Sequence, residues 1–507
     1  MPNDQAHDTR TTVAEDRVAA AVSLSVAGVA TPENNDGLES NYALEIIQPE
    51  AGLDTTNRFY KAYPGLEYNV RMGVIGGKYP FNYALTTSPS GMTIDAFTGE
   101  ITWPSPSASA TPYSVTATVT DSENTTETIS WTVLVTTAGF LFVDAVNGTE
   151  ASLGGTGTIN NPWKKLNDVY TGNIDGGKYT SVHPGEFVYW RAGDYYMDAI
   201  IDDNGGDGMR VVWRGSNRAQ VWLGYPGDTK PVVHQEAAHL WFDTSWPNLW
   251  IDGLDFRSDG NARNMGMNIS SAKENVVLRR NKYSGITAGN VGGNNALIFF
   301  VKHGTGNRVV IQDSEFSDVN LGYAILAYRT LNVLVENNYF HGIGAESNQN
   351  SHAVGMKVQS NRWDVRANLF RNNGGYSIWE YYGSETSSLS GDNEHSFNTI
   401  EAGGGEVGIN TRHDEGGFPV HVHRNTILDR AMQGRTTANN GPFYWKNNVI
   451  VNDLGDLDNI SRGTVSAPER LIIEGNLTGT TADGIVDAQG NLTAAYAEFI
   501  GARGAQL

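Results

Sequence analysis

This sequence predicts an all-β chain of two unequal modules, a small β-sandwich followed by a long solenoid of stacked coils. Three observations carry that expectation. First, a short block recurs: NLWIDGLDF, NVVLRRNKY, RVVIQDSEF, NVLVENNYF, RWDVRANLF, NEHSFNTI, PVHVHRNTI, PFYWKNNVI and RLIIEGNLT. The blocks end at Phe256, Tyr283, Phe316, Phe340, Phe370, Ile400, Ile427, Ile450 and Thr478, so by subtraction the spacings are 27, 33, 24, 30, 30, 27, 23 and 28 residues. The mean is about 28, within the periods that mark solenoids. Second, residues 42–137 run as short alternating stretches divided by turn-forming residues, the pattern of half-buried strands. Third, no segment holds an apolar period of 3.6 over the roughly 11–18 residues a helix needs. Glycine, at 58 of 507 residues, is also too frequent for a helical solenoid.

Composition narrows the function classes before any motif is read. The net charge is −21, from 35 Lys and Arg against 56 Asp and Glu. So acidic a surface opposes nucleic acid and anionic membranes as partners. It suits a soluble protein, expected to be a monomer, working where salt screens its self-repulsion. With no cysteine, disulfides and thiolate metal sites are excluded, and the compartment stays open. No apolar run approaches the roughly 18 residues of a membrane span. Twelve tryptophans and an aromatic share of 10% suit stacking platforms for sugars.

Residues 1–40 carry one mildly apolar stretch, Val18 to Ala30, which reads as a weak secretory segment ending in VAGVA. Asp4, Asp8, Glu15 and Asp16 before it oppose that reading, because such segments begin basic. A disordered leader is the alternative, and Pro32 to Gly37 reads as linker in either case.

Residues 41–138 form the first module. Strand-like runs start at Tyr42 (YALEII), Tyr68 (YNVRMGV), Tyr113 (YSVTATVTD) and Ile129 (ISWTVLV), with GMTIDAFTGEITW between Gly91 and Trp103. Strands of this kind with turns between them make a small sandwich. The module resembles the cadherin-like, immunoglobulin-type modules of bacterial surface and secreted proteins, whose central hairpin GMTIDAFTGEITW matches. The resemblance implies a fold and no function. Through it Asp95 and Asp121 are candidate calcium ligands. Ordinary turn aspartates are the better reading, because calcium asks for about six or more oxygens.

Residues 139–507 form the second module. It opens with FLFVDAVNG from Phe140 and GGTGTINNPWKKL from Gly154, read as a strand, a Gly-rich loop, a turn and a short helix that plugs the end of the solenoid. A plug is needed because a bare end exposes apolar core and an unpaired strand edge. First coils follow at Gly185 (GEFVYWRAGDYY) and Met209 (MRVVWRG). A coil of about 28 residues carries three short strands and three turns, and no coil is stable alone. Two places before the end of its block stand Asn281, Asn338, Asn368, Asn398, Asn425, Asn448 and Asn476, replaced by Leu254 and Ser314 in two blocks. An Asn there is expected in a turn, tolerant of left-handed backbone, with its amide bonded to the Asn one coil on. The ladder is therefore structural and not catalytic. After Thr478 the pattern fades, and residues 479–507 are expected to cover the far end. The module resembles the right-handed parallel β-helix of the pectate-lyase-like superfamily, a single-stranded solenoid.

Each coil also carries a strand upstream of its ladder position: ALIFFVK from Ala296, AILAYR from Ala324, AVGMK from Ala353, SIWEYY from Ser377 and GINTRH from Gly408. If Ile325, Val354, Ile378 and Ile409 face inward, Tyr328, Lys357, Tyr381 and Arg412 face outward on successive coils. Coils are about 4.8 Å apart, so these four line one groove, beside Leu326, Gly355, Trp379 and Asn410. Gly355 leaves room for a ligand and Trp379 offers a ring face. Arg329, Tyr382 and Lys302 complete the candidate substrate contacts. β-Elimination on a uronate needs a cation at the carboxylate, a base for the proton at carbon 5 and an acid for the leaving oxygen. Crowding between Tyr381, Arg412 and His413 is expected to depress the pKa of Lys357. VGMKVQSN and NTRHDEG resemble the Lys-then-Arg-His pattern of the lyase family that includes alginate lyases and chondroitinase B. That resemblance implies Lys357 as base and Arg412 as acid or carboxylate clamp. Here a whole coil bearing Tyr381 separates the two, where the family has adjacent coils.

The expected function is thus an extracellular or cell-surface enzyme that degrades an acidic polysaccharide, as a lyase. A glycoside hydrolase is the alternative, using a carboxylate pair about 5–10 Å apart from Glu380, Glu394, Asp392, Asp414 and Glu415, with Glu380 the best single acid. A glycan-binding adhesin or fibre is the third reading. It is disfavoured because cations, phenols and a Trp converge within three coils. No cofactor is certain. Calcium held by Glu346, Glu380 or Asp414 is a candidate, since it bridges acidic proteins and uronates. His421-Val422-His423 has the spacing of two ligands on one strand face, though on the ladder strand and away from the groove.

Overall fold

The computed structural model describes residues 42–50, 57–174, 177–180, 185–196, 220–235, 242–244, 248–258, 265–270, 275–286, 296–301, 308–320, 322–344, 351–357, 360–382, 393–401, 407–413, 419–428, 431–435, 442–451, 460–461, 471–480 and 483–484. They form an immunoglobulin-like sandwich and a parallel β-helix. Among the described residues the β-helix has three parallel sheets of twelve, eleven and nine strands, and each complete coil gives one strand to each sheet. The coil around Asn368, for example, supplies Asn361–Arg366, Leu369–Arg371 and Ile378–Tyr382. No helix among these residues is long and apolar enough to cross a membrane.

The repeat read from sequence is the register of the solenoid. Phe256, Tyr283, Phe316, Phe340, Phe370, Ile400, Ile427, Ile450 and Thr478 are successive Cα partners in the eleven-stranded sheet. The first five stack face to face through the core, with ring centroids 5.3, 5.0, 4.8 and 4.8 Å apart. Beneath the first coils Trp163, Leu166 and Val169 join the same core. The expected plug is there, but its helix is the single 3₁₀ turn Leu166–Val169.

The asparagine ladder runs at the corner between the twelve- and eleven-stranded sheets. The Asn368 backbone N–H and Nδ2 both donate to Asn398 Oδ1, at 3.1 and 3.0 Å, and Nδ2 also donates to the Val335 carbonyl at 2.9 Å. The same pattern joins Asn338 to Asn368, Asn398 to Asn425, Asn425 to Asn448 and Asn448 to Asn476. Ser314 holds its place in the ladder, its Oγ accepting from Asn281 N and its own N–H donating to Asn338 Oδ1. One detail corrects the sequence reading. The left-handed residue is the one before the ladder position: Arg280, Asp313, Asn337, Ala367, Phe397, Arg424 and Asn447 have φ between 51° and 56°, and Gly475 before Asn476 has φ 64°. The corner needs one left-handed residue to turn the chain, and the ladder bonds hold it there despite a cost of about 1–2 kcal/mol. Asn398→Ala strips the acceptor from two buried donors of Asn368. It is expected to lower stability by about 1–3 kcal/mol for each, read by denaturant unfolding, while activity per folded molecule persists. Lost activity at unchanged stability would assign the ladder a different role.

In the sandwich, Thr93–Ile94 pairs antiparallel with Glu100–Trp103, the hairpin expected from GMTIDAFTGEITW. Asp95 Oδ1 accepts the Phe97 and Thr98 N–H groups, and Asp121 Oδ1 accepts those of Glu123 and Thr125. Both aspartates cap turns.

The sandwich lies on the outward face of the twelve-stranded sheet. Trp250, Val277, Val310 and Leu334, outward on successive coils, share one apolar cluster with Phe59, Val70, Val74 and Trp131 of the sandwich. Gly73 is required there, because a Cβ would stand 2.8 Å from Val310 Cγ2. Past this patch the contact is ionic and buried. Arg366 donates to Glu336 at 2.9 Å, Asp364 at 3.0 Å and the Val74 carbonyl at 2.7 Å, with Phe81 and Tyr79 rings over its guanidinium. Arg71 pairs with Glu336 and Asp313, and Arg279 with Glu100 at 2.6 Å.

Asp364 is the titrating member of this interface. It faces Glu394 on the next coil, takes the Tyr42 hydroxyl on one oxygen and the Gly76 N–H on the other. Burial and the Glu394 carboxylate raise its pKa well above the usual carboxylate range. Glu394 is lowered: burial opposes its ionisation, but hydrogen bonds from His423 and Ser396 outweigh it. With its folded pKa raised, Asp364 keeps its proton in the native state where the unfolded chain has lost it. Stability therefore falls as pH rises above about 4 and levels off beyond the raised value. Asp364→Asn should remove that component of the slope, read as melting temperature against pH; identical slopes in both proteins would refute the assignment.

Candidate active site

On the nine-stranded sheet the Cα register runs Tyr328, Lys357, Tyr381, Arg412 and Arg435, beside Leu326, Gly355, Trp379, Asn410 and Gln433. Ile325, Val354, Ile378 and Ile409 face the core. The backbone register expected from sequence is therefore present, with the coil of Tyr381 between Lys357 and Arg412. For Arg412, His413 and Tyr382 the structure describes the backbone: all three are strand residues, and Tyr382 is the register partner of His413.

Lys357 is the focus of the face. Its Nζ stands 5.0 Å from the Tyr323 ring centroid, 5.0 Å from Trp379 and 5.5 Å from Tyr328. Among the described residues no carboxylate pairs with it. Burial lowers its pKa to about 8. The ring faces favour the ammonium and oppose that shift without cancelling it. The cause differs from the like-charge crowding expected from sequence, because the surroundings are aromatic and dry. Behind the lysine, buried His352 stacks on Tyr376 at 4.6 Å and leans on Trp379 at 4.5 Å. Its Nδ1 accepts the Tyr376 N–H at 3.1 Å. Burial first, and then the Lys357 charge, hold His352 down to about 3, so it stays neutral at ordinary pH. Trp379 and Tyr381 are stacked 5.3 Å apart at 15°, an aromatic pair beside the cation. Asn410 Nδ2 donates to Gln433 Oε1 at 2.6 Å on the next coil.

Several expectations are corrected. Gly355 leaves no vacant space: its missing Cβ would stand 2.6 Å from the Tyr323 ring, which occupies that place. Glu380 lies inside the solenoid, in register with Met356, and is 2% exposed. It accepts Asn393 Nδ2 at 2.8 Å and meets His395 Nε2 at 3.0 Å, so it neither reaches the groove nor serves as its acid. Glu394 belongs to the twelve-stranded sheet, bonded to Ser396 and His423. Arg329 stands past the end of its strand in a left-handed turn, φ 54°. His421 and His423 are both outward, but His423 meets Glu394 at 3.2 Å and His421 stacks on Tyr444. Lys302, Glu346, Asp392, Asp414 and Glu415 lie outside the described residues. Among the described residues no group of three or more His, Asp or Glu is placed to hold a metal ion.

Sequence reasoning missed Tyr323, His352 and Tyr376. Counting by twos from Tyr328 puts Tyr323 inside. The alternation breaks, because Ala324 and Ile325 both face the core, as do Ala353 and Val354 one coil on. That slip turns Tyr323 and His352 outward. The small alanine before each inward aliphatic residue was the available signal.

Residues 49–136 match the family model of the putative Ig domain. No curated protein matches the chain. Among solved structures, a GH136 lacto-N-biosidase from Eubacterium ramulus aligns over 67% of this chain and 68% of its own, at 10% identity and a TM-score of 0.38.

Proposed function

We propose that this chain is a glycan-degrading enzyme, a lyase that cleaves a uronate-containing polysaccharide by β-elimination in the groove of the nine-stranded sheet. The observation that carries the reading is Lys357: a cation with no carboxylate partner among the described residues, in a chain of net charge −21, with pKa lowered to about 8 inside an aromatic box. A lysine near that value has a substantial neutral fraction at mild alkaline pH and can take a proton. In the step proposed, Lys357 removes the proton at carbon 5. That electron pair forms the double bond between carbons 4 and 5, the bond from carbon 4 to the glycosidic oxygen breaks, and the leaving oxygen is protonated by the Tyr381 hydroxyl, while Arg412 holds the carboxylate. No water is consumed. Arg412 lies two coil steps from Lys357, roughly 10 Å, a gap one sugar ring fills with its carboxylate toward the arginine. Trp379 and Tyr381 supply the stacking platform.

The test is to incubate the full chain with a panel of uronic-acid polymers and follow near-ultraviolet absorbance and new reducing ends together. Elimination raises both, because the new double bond is conjugated to the carboxylate. Reducing ends without absorbance would indicate hydrolysis, and neither signal with retained binding would indicate an adhesin.

A further inference from the structure

Two of the three rings around Lys357 Nζ, Tyr323 and Trp379, rest on one buried side chain, His352. This histidine opens the strand His352–Lys357 and is the register partner of Tyr323 on the coil before. The Tyr323 ring meets the imidazole edge-on, with centroids 5.2 Å apart at 68°. Trp379 leans on it at 4.5 Å from the coil after, and Tyr376 stacks flat on it at 9°. Tyr323 and Trp379 themselves lie nearly parallel, 6.1 Å apart. His352 is 1% exposed. The chain passes close on one side of it: a Cβ on Gly375 would stand 3.0 Å from His352 Nδ1 and 1.4 Å from the Ser351 carbonyl oxygen. The imidazole is thus held by the coils before and after its own.

A hydrogen bond fixes the protonation state of this ring. Nδ1 accepts the Tyr376 N–H at 3.1 Å, so the single proton of the neutral imidazole sits on Nε2. A proton on Nδ1 would set two donors against each other and leave the Tyr376 N–H unpaired. The charged group that faces the ring is Lys357, and its ammonium opposes a second cation there. Tyr323 and Tyr328 stay protonated, because burial raises both hydroxyls. A neutral ring can be packed dry at no cost in charge desolvation. Histidine supplies two things together at this place: an aromatic body for Tyr323 and Trp379, and an acceptor for a buried N–H. Phenylalanine lacks the second, and asparagine lacks the first.

We propose that His352 is the positioning residue of this site: its neutral ring keeps Tyr323 and Trp379 closed over Lys357 and keeps water from the ammonium. The inference deepens the reading of Lys357 as the base and rests on it, but its first test needs no substrate. Competitive acetylation of the full chain with acetic anhydride, read by mass spectrometry at Lys357, gives the pH at which that amine loses its proton. The midpoint should be about 8 in the wild-type protein. His352→Asn keeps an acceptor for the Tyr376 N–H and removes the ring. Its midpoint should climb by about one unit or more toward the ordinary lysine value of about 10.4. His352→Phe keeps the ring and removes the acceptor, so it should melt lower yet hold the wild-type midpoint. A histidine that only stabilised the fold would move neither midpoint. Should the Asn variant not fold, ¹⁵N NMR of the wild-type protein decides: His352 should stay neutral, with its proton on Nε2, from about pH 5 to 9, and titration in that range refutes the proposal. Where a uronate polymer is turned over, the rising limb of kcat/KM should follow the midpoint in His352→Asn. A moved midpoint with an unmoved limb would refute Lys357 as the base and leave the role of His352 standing. An unmoved midpoint in His352→Asn, or equal movement in both variants, overturns the proposal.

Discussion

Lys357→Ala is expected to abolish turnover of the uronate polymer, by about 10²–10⁴-fold, the usual contribution of a positioned proton-transfer group. The fold should survive it, because the side chain lies on the outward face against rings that keep their own packing. Lys357→Arg should fail equally. It keeps the charge over the aromatic rings, but a guanidinium does not deprotonate. In the wild-type protein kcat/KM should rise with pH and level off above about 8, the lowered value of Lys357. Burial sets that value, so opening the box with Trp379→Ala should move the limb upward toward the ordinary lysine range as well as weaken binding. Arg412→Ala should also abolish turnover, and the double variant with Lys357→Ala should be little worse than either, as expected for groups acting as a unit. If both single variants keep wild-type rates on the best substrate, the lyase assignment falls.

Residues 139–507 expressed alone should be insoluble or strongly destabilised. The structure puts Trp250, Val277, Val310 and Leu334 under the sandwich. Exposing them costs about 1.5–3 kcal/mol each, and Arg366 would lose the Val74 carbonyl together with the Phe81 and Tyr79 rings. Those sums rival the whole stability of a typical domain. The bare twelve-stranded face would also form an apolar patch of the kind that drives association. Solubility on expression and melting of the truncated chain beside the full one check this. A soluble truncation melting at the full-length temperature would show that the interface contributes little.

Because these two modules share a buried face, the position of the sandwich also bears on the groove. It covers the twelve-stranded sheet, while Lys357 and Trp379 stand on the nine-stranded one. The sandwich therefore leaves the candidate active site uncovered by this contact.

What the sequence determined by itself was everything periodic. The ladder asparagines, the stacked residues from Phe256 to Ile450 and the register that brings Tyr328, Lys357, Tyr381 and Arg412 onto successive strands follow from spacing, because in a solenoid each coil sits on the one before and register is set locally. What only the tertiary structure decided was everything that breaks or crosses the period. Tyr323 and His352 reach the site because two consecutive residues turn inward at Ala324 and Ala353, a slip that an alternation of two cannot register. Glu380 sits on the inner side of its strand, satisfied by Asn393 and His395, which come from elsewhere along the coil. The low pKa of Lys357 arises from burial among rings of the coils on either side of it, not from the charges next to it in the repeat. The docked sandwich is the least legible feature. Its partners on the solenoid, Trp250, Val277, Val310 and Leu334, read in sequence as ordinary strand residues, and nothing local distinguishes an outward face that meets water from one that meets another module.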